Sequence, residues 1–215
     1  MIKYHWDNKK LPIICATSTR IGGVSQKPYN SLNLAYHVGD DPSNVAENRR
    51  RFCDKLGIDV NSLVIANQVH SDNIEIINSY QAGSGAYGTH NAIPNTDALI
   101  TSSNIVSIGV LTADCVPVMI FDPKTLSIGI AHAGWKGTVL RIAQKTILKM
   151  KSAFGTDPSN CLIILGPSIM QCCYEVSDDI IAKFDVEFGA SKCTIGNRLD
   201  LHNAIRIQLI EAGVK

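Results

Sequence analysis

Val116-Pro117-Val118-Met119-Ile120-Phe121, then Asp122-Pro123, then Ser127-Ile128-Gly129-Ile130-Ala131-His132 is the stretch from which the fold is read. Both runs are short and apolar, and Asp122-Pro123 is a turn signal between them, so each marks a strand. Upstream, residues 98–101 and 106–111 carry the same signal. Downstream, residues 138–150 read as an amphipathic helix, with Val139, Ile142, Ala143, Thr146, Ile147 and Met150 recurring at helical spacing. Farther out, strands are expected over 13–19, 63–69, 74–77 and 162–165. Helices are expected over 44–56, capped by Asn44 and ended by Gly57, and over 177–188 and 199–212. Residues 81–95 are rich in Gly, Ser, Ala and Asn without apolar periodicity, and read as a mobile loop or lid. Clustered strands with helices between them predict an α+β fold, a layered α/β sandwich.

Three residues at or near the ends of these apolar runs form a candidate metal set: His70, Cys115 and His132. Two imidazoles and one thiolate leave a coordination position open on zinc, as in catalytic rather than structural sites. The gaps of 45 and 17 positions, and the absence of any C-x-x-C, exclude a local zinc module, so a folded scaffold has to assemble the set. Read without that metal, Cys115 is a small buried hydrophobe and each His a satisfied core residue. Asp114, next to Cys115, is placed to orient a ligand or handle a proton, or else to stabilise a turn. Gln68 lies two positions before His70; if the segment is a strand it is on the same side and faces the same cleft, and otherwise it is a surface amide. Arg20 beside Gly22-Gly23 suggests an anion-binding corner, with Arg49 as a second contact; the alternatives are a plain turn and helix-surface charge.

The chain resembles the YfiH family, also called the polyphenol oxidase or laccase-domain family. The resemblance is carried by Thr19-Arg20-Ile21-Gly22-Gly23-Val24-Ser25, Tyr29-Asn30-Ser31-Leu32-Asn33-Leu34, His37-Val38-Gly39-Asp40-Asp41-Pro42 and Glu47-Asn48-Arg49. It continues through Asn67-Gln68-Val69-His70, Thr96-Asp97-Ala98-Leu99, Thr112-Ala113-Asp114-Cys115 and His132-Ala133-Gly134-Trp135-Lys136-Gly137. It ends on Leu165-Gly166-Pro167-Ser168-Ile169 and Cys172-Cys173-Tyr174-Glu175-Val176. The resemblance implies that His70, Cys115 and His132 hold Zn2+ or Cu2+, and that one α/β domain spans residues 1–215. Family members usually continue with a further Cys-Thr segment and an aromatic-Tyr-Arg-Arg stretch. This sequence stops at Gly213-Val214-Lys215, so it is expected to lack that C-terminal segment.

The bulk numbers are those of an ordinary globular protein. The 215 residues are 45% hydrophobic and 18% charged, with a net charge of +1, so no overall field draws the chain to a nucleic acid polymer or a membrane. Arg49-Arg50-Arg51 is the one tight basic run and reads as a solvated helix face, except that Arg49, after Asn48, looks placed by the family motif. Seven scattered cysteines do not look like a secreted disulfide framework. Met1-Ile2-Lys3-Tyr4-His5-Trp6-Asp7 has no apolar signal core, and no apolar run reaches the roughly 18 residues of a membrane span. A cytoplasmic protein with reduced thiols is expected. Nothing in the sequence fixes an oligomeric state.

The resemblance further implies purine nucleoside chemistry: phosphorolysis of adenosine, inosine and methylthioadenosine, and deamination of adenosine, with a purine nucleoside and phosphate as partners. Metal-activated water suits deamination, and Arg20 and Arg49 are the candidates for holding phosphate. Other readings stay open. A peptidoglycan-precursor amidase would use the same hydroxide. A cysteine hydrolase would use Cys115 with His132 as base, leaving His70 idle. A copper-dependent polyphenol oxidoreductase matches the two His and one Cys of a copper site, although six histidines are too few for a multicopper cluster.

Overall fold

Strands buried on both faces carry apolar side chains without polar alternation, and the quoted pair does so because it lies at the centre of the main sheet. The computed structural model describes residues 1–5 and 11–215; Trp6 and Asp7 of the N-terminal stretch lie outside the described residues. Its strands are β1 (Ile2–Lys3), β2 (Ala16–Thr17), β3 (Leu63–Ile65), β4 (Ile74–Ile76), β5 (Ala98–Thr101), β6 (Ser107–Gly109), β7 (Val116–Asp122), β8 (Ser127–Ala133), β9 (Leu162–Leu165), β10 (Thr194–Ile195) and β11 (Arg198–Leu199). Its helices are α1 (Pro42–Leu56), α2 (Trp135–Val139), α3 (Ile142–Phe154), α4 (Asp178–Phe188) and α5 (Leu201–Glu211). This is an α+β fold.

The main sheet has the order β4-β5-β8-β7-β9, with β4 and β5 parallel and the other pairs antiparallel. Side chains alternate across it with a period of two. On β5, Ala98 and Ile100 enter a cluster with Ile142, Ala143, Ile147 and Met150 of α3 and with Ala204, Ile205 and Leu209 of α5. Leu99 faces the other way, into a second cluster with Val64, Ala66, Ile77, Ile93 and Val106. Gly129 allows α3 to come close: a Cβ there would sit 2.8 Å from Met150 Sδ. Each fully buried Leu, Ile or Met in these layers contributes about 1.5–3 kcal/mol of transfer free energy.

Several expected elements change under tertiary contacts. The strand over 13–19 shrinks to Ala16–Thr17, and the strand over 63–69 ends at Ile65. Helix α1 starts at Pro42, not after Asn44, because Asp41 accepts from the Ser43 N–H and Pro42 fills the first turn; Gly57 ends it at φ 72°. The helix expected over 138–150 is two helices. Arg141 interrupts it at φ 64° and ion-pairs with Glu187 of α4 and Glu211 of α5, ties that offset the cost of a left-handed non-glycine residue. Residues 81–95 are no free lid: Ala86 and Ile93 are buried, and Arg49 Nη1 donates to the carbonyls of Gly85 and Ala86. The small hairpin β10–β11 carried no apolar signal strong enough to be expected.

Candidate metal centre

Strand register brings the site together. Ala98 pairs with Ala131, so Asp97, one residue before β5, lies opposite His132. Val116 pairs with Ala133, so Cys115, one residue before β7, lies opposite Gly134. Ile74 pairs in parallel with Ala98, so the turn containing His70 arrives at the same end of the sheet. The ligand atoms of His70, Cys115 and His132 all lie within 4.8 Å of one another, the one cluster of three or more His, Cys, Asp or Glu ligand atoms among the described residues. The two imidazoles meet edge to face, with centroids 4.7 Å apart.

Asp97 organises this end of the sheet. It is fully buried, and its carboxylate accepts from the N–H groups of Val69 (3.1 Å), His70 (3.0 Å) and Ser71 (2.7 Å) and from Ser71 Oγ (2.8 Å). His70 sits at φ 59°, and the bend turns these three successive N–H groups onto one anion. The same carboxylate accepts from His132 Nδ1 at 2.8 Å. A carboxylate acceptor fixes the donor tautomer, so the lone pair of Nε2 is left for a metal. Burial alone would raise the Asp97 pKa, but His132 and the Ser71 and Val69 donors outweigh it and hold it at about 2. Burial pushes His132 down, and Asp97 and Cys115 more than reverse this, to about 9 in the metal-free chain. His70 is lowered by burial and by the neighbouring His132.

The donor set fits a zinc- or copper-like ion. One sulfur and two imidazole nitrogens form an open three-ligand arrangement, with a carboxylate behind one imidazole. Gly134 leaves the room: a Cβ there would lie 2.8 Å from Cys115 Sγ and 3.2 Å from His70 Cδ2. Gly137 lets α2 pack against the same turn, since its Cβ would lie 3.0 Å from Ser71 O.

The other expected residues have diverse placements. Asp114 is exposed and lines an open cleft of about 470 Å³ with Ala113, Pro167, Ser168, Ile169, Met170, Cys172 and Cys173. Ser168 Oγ lies 2.6 Å from His202 Nε2. Gln68 does not share a strand face with His70. Its amide both donates to Leu111 O (2.8 Å) and accepts from Leu111 N (2.7 Å), joining the His70 and Cys115 segments. Arg49, expected at an anion, is buried and donates to the carbonyls of Leu34, Gly85 and Ala86, with the Tyr36 ring against its guanidinium. Arg20 is exposed and donates through Nε and Nη2 to Asn30 O. Among the described residues, no hydrogen bond or ion pair ties either arginine to the three ligands. Asp97 was missed as a site residue; the clue is an acidic residue at the mouth of a wholly buried strand, where an unpaired carboxylate is rare.

The family model described as multi-copper polyphenol oxidoreductase laccase matches residues 14–215. Purine nucleoside phosphorylase YlmD of Bacillus subtilis is 34% identical over 208 residues, covering 94% of this chain and 75% of the relative. Adenosine deaminase RL5, from an unknown prokaryotic organism, is 34% identical over 207 residues, covering 93% and 79%. The crystal structure of YlmD from Geobacillus stearothermophilus superposes with a TM-score of 0.87 at 34% identity, covering 92% of this chain and 76% of that one. The chain belongs to this laccase-domain family.

Proposed function

We propose that this laccase-domain family member is a zinc-dependent purine nucleoside phosphorylase acting on adenosine, inosine and methylthioadenosine, with adenosine deaminase activity, working in the cytoplasm on a purine nucleoside and phosphate. The observation that carries the reading is the His70–Cys115–His132 set with His132 oriented by buried Asp97. Relatives named as phosphorylases and a deaminase support the substrate class. A zinc ion held by these three residues supplies Lewis acidity and a water that ionises near neutral pH.

The chain's own groups divide the remaining work. Asp97 holds His132 in the tautomer that presents Nε2. Gln68 fixes the separation of the His70 and Cys115 segments through Leu111. Asp114, next to Cys115 in sequence, is exposed on an open cleft and is the candidate for exchanging a proton with the purine. Arg20 is the remaining candidate for a phosphate oxygen, since its guanidinium is exposed and needs only to turn from Asn30 O. The single cluster of imidazole and thiolate ligands among the described residues falls short of a multicopper oxidase centre, which needs many more imidazoles.

The deciding assay supplies adenosine, with and without phosphate, to metal-quantified protein. Phosphate-dependent adenine and ribose 1-phosphate are the expected products, with inosine as the phosphate-independent one. The absence of both products would overturn the reading and favour the amidase. Activity persisting in verified metal-free protein would instead favour Cys115 as a nucleophile.

A further inference from the structure

Cysteine is among the most buried residue types, yet Cys172 and Cys173 are both exposed, adjacent, and free, with their sulfurs 3.4 Å apart. They stand in a turn that starts at Met170, whose carbonyl accepts from the N–H groups of Cys173 (2.9 Å) and Tyr174 (3.1 Å). The turn folds Met170-Gln171-Cys172-Cys173 back on itself, and Met170, itself 51% exposed, lines the same open cleft as both thiols. Three sulfur-bearing residues therefore line one open cleft. The metal centre's own Cys115 is not among its walls, although neighbouring Asp114 is.

We propose that Met170, Cys172 and Cys173 form a second metal site, selective for a soft monovalent ion, Cu+. Two thiolates and a thioether are the donors such ions prefer, whereas zinc takes thiolate, imidazole and carboxylate but not thioether. Two sulfurs on one tetrahedral ion with metal–sulfur bonds of about 2.3 Å stand roughly 3.8 Å apart. The observed pair needs to open by only a few tenths of an ångström, and both side chains are exposed. In the metal-free chain the Cys172 contact raises the Cys173 pKa above its ordinary value. A cation bound by the two sulfurs favours the thiolate form, and binding releases both thiol protons to solvent. The site does not depend on the catalytic reading above.

The test uses zinc-loaded protein under anaerobic, reducing conditions, titrated with Cu+ against a chromogenic Cu+ chelator, with zinc measured in the same samples. Wild type is expected to take one Cu+ while retaining its zinc. The Cys172→Ser/Cys173→Ser variant is expected to lose that equivalent. Met170→Leu is expected to keep it with affinity lowered at least about tenfold, the scale on which weaker metal contacts act. X-ray absorption on the wild-type complex is expected to show sulfur neighbours alone. Unchanged copper uptake in the double variant, copper gained only as zinc leaves, or nitrogen neighbours at the copper would each overturn the proposal.

Discussion

Two polar regions of the molecule, both conspicuous in sequence, use their side chains in opposite ways. In the corner formed by Gly22-Gly23 and the Asn48-Arg49 turn of α1, the polar atoms bond to one another's backbone. Asn48 is fully buried; it accepts from Val24 N and donates to Ser25 Oγ, Ser31 O and Asn33 O. Gly23 permits that closeness, since a Cβ would lie 2.0 Å from Ser31 O. At the sheet end, Asp97 takes up the backbone and one imidazole nitrogen, while Cys115 Sγ and the remaining ring nitrogens face each other. A polar motif whose hydrogen bonds close on itself is a scaffold. One that leaves lone pairs converging at a single point is a site.

This contrast predicts different losses on each side. The largest is expected for Cys115→Ala and His70→Ala: one metal per chain falls to none by elemental analysis, with nucleoside turnover reduced by about three orders of magnitude or more and thermal unfolding of the metal-free state little altered. Full metal occupancy in either variant would remove that residue from the ligand set. In the corner, Asn48→Ala is expected to do the reverse. It should destabilise the fold by about 2–4 kcal/mol in urea, because buried partners left unpaired cost about 1–3 kcal/mol each, while the folded fraction binds metal as before.

Asp97 belongs to both kinds of region, so Asp97→Asn sharpens the comparison. Loss of the charged orienter is expected to weaken metal binding about 10–100-fold, the range for carboxylates behind a ligating histidine. The variant also tests pH dependence. Because folding lowers the Asp97 pKa to about 2, its stabilisation is complete above its ordinary value and is lost as pH falls through 2. Metal-free wild type should therefore lose about 2 kcal/mol more than Asp97→Asn as pH is lowered from 4.5 toward 2, read from urea midpoints. Parallel pH profiles would mean that the carboxylate is not preferentially ionised in the folded state.

The smallest effect is expected at Arg20, where the comparison is most exposed to refutation. As a phosphate contact, Arg20→Ala raises the KM for phosphate while leaving phosphate-independent deamination unchanged. Equal small losses in both reactions would assign Arg20, like Arg49, to the scaffold.

The elements legible in the sequence were those with strong local periodicity. Residues 98–101, 116–121, 127–132 and 162–165 fall within strands, and α4 and α5 within the expected helices, because apolar strands of a covered sheet and amphipathic helices write their environment into consecutive residues. Local pattern failed where partners distant in sequence decided the geometry. Arg141 breaks an otherwise continuous helical pattern at φ 64°, and the partners its side chain meets there, Glu187 and Glu211, lie far away in sequence. Residues 81–95 look like a lid until Arg49 is seen holding them down.

The sequence by itself determined the α+β class, the family and the three candidate ligands, because residue type and neighbouring motif are local properties. Only the tertiary structure decided which polar residues are free to act. Strand register, a non-local quantity, set Asp97 opposite His132 and Cys115 beside Gly134. The same long-range packing drew Arg49 and Gln68 onto backbone carbonyls and amides, since a buried donor or acceptor must find a partner wherever the fold supplies one.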